Sequence, residues 1–583
     1  MTRIVRRSSA MSLLAGASAL ALATGAQAQI RATHDNVFAD CTADQTSAQT
    51  GTNYPGTEIE PSIAVNPLSP FNVIYGVQQD RWSDGGSRGE RGGFSLDGGL
   101  NFTNSTPLGI TLCDGGPYLR ASDPWVSFGP SGAAFFSQLV FDGNLPNGGN
   151  GQNGQIVSRS LDGGINWDTP FALITDINPQ ILNDKNSVTA DPTDPSYVYV
   201  VWDRLQDYTI PQIGVGEGHE GGNTASPAVA NGTSGVVSQL ASTAAGAAYL
   251  ALPAGQRRGT LGAEWRIVAL HGMSAGSGTI GGYTTPAASD PNPPTPDTMV
   301  IGPTYIGRST DGGTTYEPAR ILYDPGINMQ TIGNIIQVLP DGTVLDLFEQ
   351  IDDISGAQTI SLVRSTDKAA TFDATATVIS PQHNDVPTTA PFSGQQLRDA
   401  DILFSPATDP KSGALYVVFE DTRFTGVHGI AFTQSTDGGK TWSTPVQIDQ
   451  TPANANTALE QAFTPAATVA GGGLLAVTYY DFRNDTGASG VDATDYWAVF
   501  CNPSVADCTQ RASWGNELRL TQSSFDINNA PNAGGLFLGD YMGLAAYGPY
   551  IYPLFGISYA PNQTDLYTQP LFVLSFGQVA SLH

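Results

Sequence analysis

Short apolar stretches recur along most of the chain, separated by turns rich in glycine and proline. They come in a fixed order: an opening strand, a Pro/Gly turn, then a strongly apolar strand ending in an acid beside an aromatic or an arginine. The first unit runs Glu60-Pro61-Ser62-Ile63-Ala64-Val65, then Asn72 to Val77, and ends Asp80-Arg81-Trp82. The second opens Asp123-Pro124-Trp125, continues through Ala133 to Phe141 and ends at Asp142. The third opens Asp184-Lys185-Asn186 and ends Trp202-Asp203-Arg204; the fourth opens near Gly333-Asn334 and ends Leu347-Phe348-Glu349. The fifth opens Asp399-Ala400-Asp401 and ends Glu420-Asp421-Thr422-Arg423; the sixth opens Phe463-Thr464-Pro465 and ends Tyr480-Asp481-Phe482-Arg483. The last opens Leu538-Gly539-Asp540-Tyr541 and continues to Ile557. Runs this short, bounded by turn residues, predict β-strands, and the chain reads as all-β.

A second repeat is interleaved with the first. Ser95 to Phe102 reads SLDGGLNF, Ser160 to Trp167 SLDGGINW, Ser309 to Tyr316 STDGGTTY and Ser435 to Trp442 STDGGKTW. Ser365 to Phe372, STDKAATF, is a worn copy with Lys368 and Ala369 where the others have glycine. The common form is S-x-D-G-G-x-x-aromatic. The Asp carboxylate can accept N–H bonds from its own turn. The glycines permit the positive φ of a tight turn. The aromatic is large enough to wedge between neighbouring units. The phrase therefore predicts a stapled β-hairpin, not a catalytic site, and its recurrence predicts a repeat architecture.

This phrase resembles the Asp-box, or BNR repeat, of the sialidase (neuraminidase) superfamily. The resemblance implies one β-propeller of four-stranded antiparallel blades over residues 29–583. The repeats count seven blades, and the six of sialidases are the alternative. Such blades bury their faces on one another.

Residues 1–28 read as a secretory signal: Arg3, Arg6 and Arg7, an apolar Met11 to Ala23, and an Ala26-Gln27-Ala28 cleavage site. No other stretch is apolar and long enough to span a membrane. The expected location is periplasmic or extracellular, as a monomer. Four cysteines fit disulfides there. Cys501–Cys508 would close a short loop and Cys41–Cys113 would tie down the N-terminal segment; other pairings stay open. The formal charge of −28 argues against nucleic acid and anionic membranes. An Ala-, Gly-, Ser-, Thr- and Pro-rich insertion spans about 205–301, with Val236 to Leu252 as its one helical candidate.

In a four-stranded blade the innermost strand begins at the face where the second strand ends. The polar openings and second-strand ends therefore converge on one rim, and the insertion after Arg204 would hang over it. Carboxylates, guanidiniums and tyrosines together suit sugar hydrolysis. The same pairs also suit bracing of neighbouring loops, and their repetition in nearly every unit favours bracing for most of them. The sialidase resemblance implies a Tyr nucleophile activated by Glu, an Asp acid/base and three arginines gripping a carboxylate. Carried onto this chain, these are Tyr541, Glu349 and Asp84, with Arg81, Arg423 and Arg483 on the substrate. Tyr480 is the second nucleophile candidate. Arg204, Asp123, Asp481 and Glu60 complete the expected binding set. The Arg-Ile-Pro that opens sialidases is here Ile59-Glu60-Pro61, and an acid in that place repels an anionic sugar, which points to a neutral or differently charged one.

The expected activity is an exo-acting glycoside hydrolase on a glycan or polysaccharide. The alternatives are a non-catalytic glycan- or protein-binding propeller and a polysaccharide lyase. No cofactor or metal is expected: the six histidines show no paired spacing, and His428 is expected at the surface of a loop. Asp399-x-Asp401 could contribute to a calcium site, but no EF-type loop surrounds it.

Overall fold

The computed structural model describes residues 29–142, 152–178, 181–209, 298–384, 386–399, 401–487, 490–574 and 579–581. Residues 1–28, expected to be a leader, and the insertion with its helical candidate lie outside these apart from the insertion's two ends. Among the described residues there are strands and short 3-10 turns but no α-helix. None of their helices is long and apolar enough to cross a membrane.

Most of the described strands fall into seven successive antiparallel groups. The first is Glu58–Val65, Val73–Arg81, Ser87–Ser95 and Thr103–Asn104. The second is Arg120–Phe128, Ala134–Phe141, Asn153–Ser160 and Phe171–Asp176. The third is Ile181–Ala190, Val198–Thr209, Thr304–Ser309 and Arg320–Tyr323. The fourth is Met329–Val338, Val344–Asp352, Gln358–Ser365 and Thr377–Gln382. The fifth is Phe404–Thr408, Leu415–Asp421, Gly429–Ser435 and Val446–Gln447. The sixth is Ala462–Ala470, Leu474–Asp481, Ala493–Cys501 and Gly515–Arg519. The seventh is Gly543–Tyr547, Tyr550–Tyr559 and Gln563–Thr568, and its outer place is filled by Ile30–Arg31 from the other end of the chain. Thr298–Gly302, at the insertion's far end, pairs with Gln206–Thr209 at its near end.

Each opening strand packs beside the opening strand of the next group, and the seventh packs beside the first. The side chains explain why. Successive strand residues point to opposite faces, and in the second strand of each group both faces are covered. Tyr75 packs toward the seventh group, with Tyr552 and Leu554, while Ile74 packs toward the second, with Phe136. Val200 packs toward the second group with Phe135, and Val201 toward the fourth with Phe348. Val417 meets Leu345 of the fourth group, while Val418 lies in one cluster with Val477 of the sixth. Tyr480 in turn meets Phe555 of the seventh. A strand buried on both faces favours apolar side chains at successive positions, hence apolar runs such as Val198 to Trp202.

The five S-x-D hairpins are built alike. In the second group Ser160 Oγ donates to Asp162 Oδ1 at 2.8 Å, Gly164 N donates to Ser160 Oγ at 2.9 Å, and Asn166 N donates to Asp162 Oδ1 at 2.9 Å. The worn copy keeps all three bonds through Ser365, Asp367, Ala369 and Thr371. It does so with Lys368 and Ala369 at φ 59° and 61°, the left-handed region that glycine occupies elsewhere. Trp167 reaches the first group, where its Nε1 donates to Ser105 O at 2.7 Å.

Two disulfides are formed, Cys41–Cys113 and Cys501–Cys508, and no described cysteine is free.

Candidate functional site

The opening strands carry a repeated irregularity. Pairing with the second strand slips between Ile59 and Ser62, Ser122 and Trp125, Asp184 and Ser187, Ile332 and Ile335, and Phe463 and Ala466. Each slip is a β-bulge, which leaves a residue unpaired and re-aims its side chain. Within the slips stand Glu60, Asp123, Lys185, Gly333 and Thr464, all at positive φ between 48° and 68°. Four of the five are not glycine. Such backbone costs on the order of 1 kcal/mol or more per residue and persists only where surroundings over-determine it.

Those surroundings are carboxylates from adjacent groups. Asp123 Oδ2 accepts the Lys185 N–H at 3.0 Å, Asp203 Oδ2 the Gly333 N–H at 3.1 Å, and Glu420 Oε1 the Thr464 N–H at 2.7 Å. Glu60 Oε1 accepts the Asp540 N–H at 3.3 Å. The recurring acids thus tie one group's bulge to its neighbour.

Around Lys185 the bulges also collect charge. Its Nζ lies 2.6 Å from Asp540 Oδ2 and 3.6 Å from both Glu60 Oε1 and Asp123 Oδ1. Arg398 forks onto Asp540, Nε to Oδ1 at 3.0 Å and Nη2 to Oδ2 at 2.6 Å. The Arg398 and Arg81 guanidiniums both lie over the Phe537 ring, at 4.3 and 5.0 Å. Arg81 Nη1 donates to Gln78 Oε1 at 2.8 Å, and Gln78 Nε2 donates to Glu60 Oε2. Beside this cluster the Tyr541 hydroxyl donates to Pro124 O at 3.1 Å, and its ring meets Trp125 edge-on at 5.2 Å. Asp123, Lys185, Asp540, Tyr541 and Trp125 line a cavity of about 370 Å³ to which every group's opening segment contributes.

Burial pushes the Glu60 carboxyl up to about 8; Lys185 opposes the rise, and Asp540 and Asp123 add to it. The Arg81 guanidinium is brought down to about 10 by burial and by Arg398. Burial works against the Lys185 ammonium, but Asp123, Asp540 and Glu60 outweigh it and hold the charge more firmly than usual. The Tyr541 phenol is pushed well up, by burial first and then by Glu60 and Asp123. Glu58 and Asp184 rise to about 7 and Asp481 to about 6, each chiefly through burial.

A raised carboxyl keeps its proton in the folded chain at pH values where the unfolded chain has lost it. Stability is then full below about 4 and declines as pH rises toward each folded value. The thermal midpoint is therefore expected to fall steadily between pH 5 and pH 8. Scanning calorimetry across that range checks it, and Glu60→Gln should flatten the slope.

Of the residues singled out in the sequence, Arg81, Glu60, Asp123 and Tyr541 come together here. The others do not join them. Glu349 is fully buried with both carboxylate oxygens free of hydrogen bonds, and burial alone raises it; no charged group of the Lys185 cluster acts on it. Asp84 receives Arg120 Nη1 and the Thr50 hydroxyl, each at 2.8 Å, and so holds down the N-terminal segment. The expected Tyr541–Glu349–Asp84 constellation is therefore not assembled: Asp84 is committed to Arg120 and Thr50, and Glu349 is buried apart from the charges that act on Tyr541. Tyr480 is a core residue whose hydroxyl donates to Gly556 O at 2.8 Å. Arg204 forks onto Asp176, Arg423 onto Asp421, and Arg483 onto Asp481 and Glu517 while stacking on Trp497 at 4.0 Å. These arginines are engaged within the protein.

His428, expected at a loop surface, is buried: its Nδ1 lies 2.6 Å from Glu420 Oε2 and its carbonyl accepts the Ala462 N–H. Sequence reasoning left Lys185 and Arg398 out of the site. Lys185 had a signal, since it occupies the opening position that Glu60 and Asp123 hold in the first two groups. A paired Tyr and Glu does occur elsewhere: the Tyr479 hydroxyl donates to Glu517, beside Arg483, on the outer side of the sixth group.

No family model and no curated protein matches this chain. Among solved structures, a Hadza microbial sialidase, Hz136, is similar with 14% identity over 80% of this chain and 66% of its own, at a TM-score of 0.39. A protein of unknown function from Dyadobacter fermentans is 12% identical over 78% and 94%, at 0.41. A Penicillium chrysogenum α-L-arabinanase, in complex with arabinobiose, is 11% identical over 74% and 93%, at 0.38. Superpositions this loose leave both architecture and chemistry to be read from the chain's own pairings and side chains.

Proposed function

We propose that the chain is an exported, seven-bladed β-propeller that takes a glycan at the mouth of its central cavity and hydrolyses a glycosidic bond there. The opening strands that follow one another around a common cavity support the ring. Two disulfides fit an oxidising compartment.

The observation that carries the reading is the Glu60–Asp123–Asp540–Lys185 cluster set beside the Trp125–Tyr541 pair. An aromatic face supplies the platform on which sugar rings stack. Carboxyl groups in unlike surroundings divide the work of acid and base. Glu60 keeps its proton near neutrality, while Asp540 is held by an ammonium and a guanidinium. Tyr541, with its phenol pushed up by burial and then by nearby carboxylates, suits hydrogen-bond donation better than nucleophilic attack. A neutral sugar fits a mouth that carries so many acids.

A panel of aryl glycosides, neutral and sialic, tests this directly. Release from a neutral glycoside is expected. Tyr541→Phe should lower kcat/KM about tenfold, the worth of one good hydrogen bond, with an unchanged circular dichroism spectrum. Failure to release aglycone from any member, with no binding of the matching free glycans, would remove the proposal. Binding without release would favour a second reading, a glycan-binding propeller. That reading draws support from Arg204, Arg423 and Arg483, whose guanidiniums are occupied internally.

A further inference from the structure

A second polar cluster lies just before and within the fifth group, and the proposed hydrolysis makes no use of it. Asp399, Glu420 and His428 each present a donor atom within 4.8 Å of the other two. All three are buried, at 5%, 0% and 1% relative exposure. We infer that they form a divalent-cation site of the zinc class, with Asp399 Oδ2, Glu420 Oε2 and His428 Nδ1 as protein ligands.

Geometry carries the assignment. His428 Nδ1 stands 2.6 Å from Glu420 Oε2 and 3.8 Å from Asp399 Oδ2. Zinc bonds of about 2.0–2.2 Å at tetrahedral angles put donor atoms roughly 3.3 Å apart, between those two separations. Small side-chain rotations bring the donors onto one ion.

A separate observation points the same way. Asp399 Oδ2 has no hydrogen-bond partner, although the residue is buried and this oxygen faces the imidazole. A buried carboxylate oxygen left without a partner is costly, and a cation at the centre removes that cost. Two carboxylates and one imidazole carry more negative charge than the ring can balance, even when protonated.

The ligands are also oriented from outside. Glu420 Oε1 is fixed by the Thr464 N–H of the sixth group, which turns Oε2 inward. The His428 carbonyl is fixed by Ala462 N at 2.9 Å. The bond to Glu420 Oε1 is of the kind that holds a metal ligand in register, while the His428 carbonyl bond fixes the backbone beneath the imidazole. One nitrogen and two oxygens form a donor set suited to zinc, and the fourth tetrahedral position is left for water. The ion would clip the segment at Asp399 to the ends of the fifth group's second and third strands, at Glu420 and His428. On binding, it displaces the proton shared between His428 and Glu420.

The test uses the full chain. Purified protein is stripped with a chelator, assayed for metal, and titrated calorimetrically with zinc, then separately with manganese and calcium. One zinc per chain is expected, with a higher thermal midpoint on loading. Asp399→Asn, nearly the same shape, should weaken zinc binding at least tenfold, and His428→Gln more. Should His428→Gln fail to fold, Asp399→Asn alone decides. No stoichiometric zinc, calcium taken in preference to zinc, or zinc affinity unmoved by Asp399→Asn would each overturn the assignment.

Discussion

Lys185→Met is expected to cost about 3–5 kcal/mol of folding stability, the range for removing one partner from a buried charge cluster. The ammonium is 4% exposed and stands among Asp540, Glu60 and Asp123. Without it, Arg398 still holds Asp540, but Glu60 and Asp123 lose their nearest cation. The left-handed bulge at residue 185 is also held by the Asp123 carboxylate, so the side chain and the backbone of one residue close the same joint. Urea unfolding of the variant measures the loss. Asp123→Asn added to Lys185→Met should recover part of it, since the pair is coupled. Lys440→Met, exposed in a hairpin of the fifth group, should stay within about 0.5 kcal/mol of the parent.

The second large effect concerns Cys41–Cys113. The bond spans 72 residues, and chain-entropy reasoning assigns it about 4 kcal/mol; Cys501–Cys508 spans 7 and merits about 2. Paired replacement by serine should therefore destabilise more at the first bridge than at the second. The first bridge also secures a segment that Arg88 grips through Asp44 at 2.6 Å and through the Cys41 carbonyl at 2.6 Å. Loosening it frees that guanidinium beside Asp80. Non-reducing denaturant titrations of the two double variants check the order, and a larger loss at Cys501–Cys508 would contradict it.

Much of the fold was legible because its pattern is local. Each S-x-D hairpin is closed by bonds within a few residues, so Ser160, Asp162 and Gly164 announce it without any distant partner. The worn copy at Ser365 was readable for the same reason, even without its glycines. Unbroken apolar runs such as Val198 to Trp202 followed from burial on both faces. The site was only partly legible. Alternation of polar and apolar residues does not reveal a bulge, so Lys185 was marked only by its place in the opening, not by its turn toward Asp540. Glu349 closes an apolar run much as Glu420 does, yet one oxygen of Glu420 meets a neighbour's N–H and neither of Glu349's does. That difference depends on how adjacent groups stagger, a long-range property. His428 looked like a loop residue because its partners are set by strand register and not by spacing.

Ile30–Arg31 forms one edge of the last sheet, paired with Gln563–Thr568. On a ribosome the first of these segments emerges more than five hundred residues before its mate. Until then Gln563–Thr568 does not exist to receive it, and that edge of the sheet stays unpaired. Partial chains can shape their early sheets, but only a chain that already carries Gln563–Thr568 can take in Ile30–Arg31, and a helper that shields the waiting segment would act in that interval.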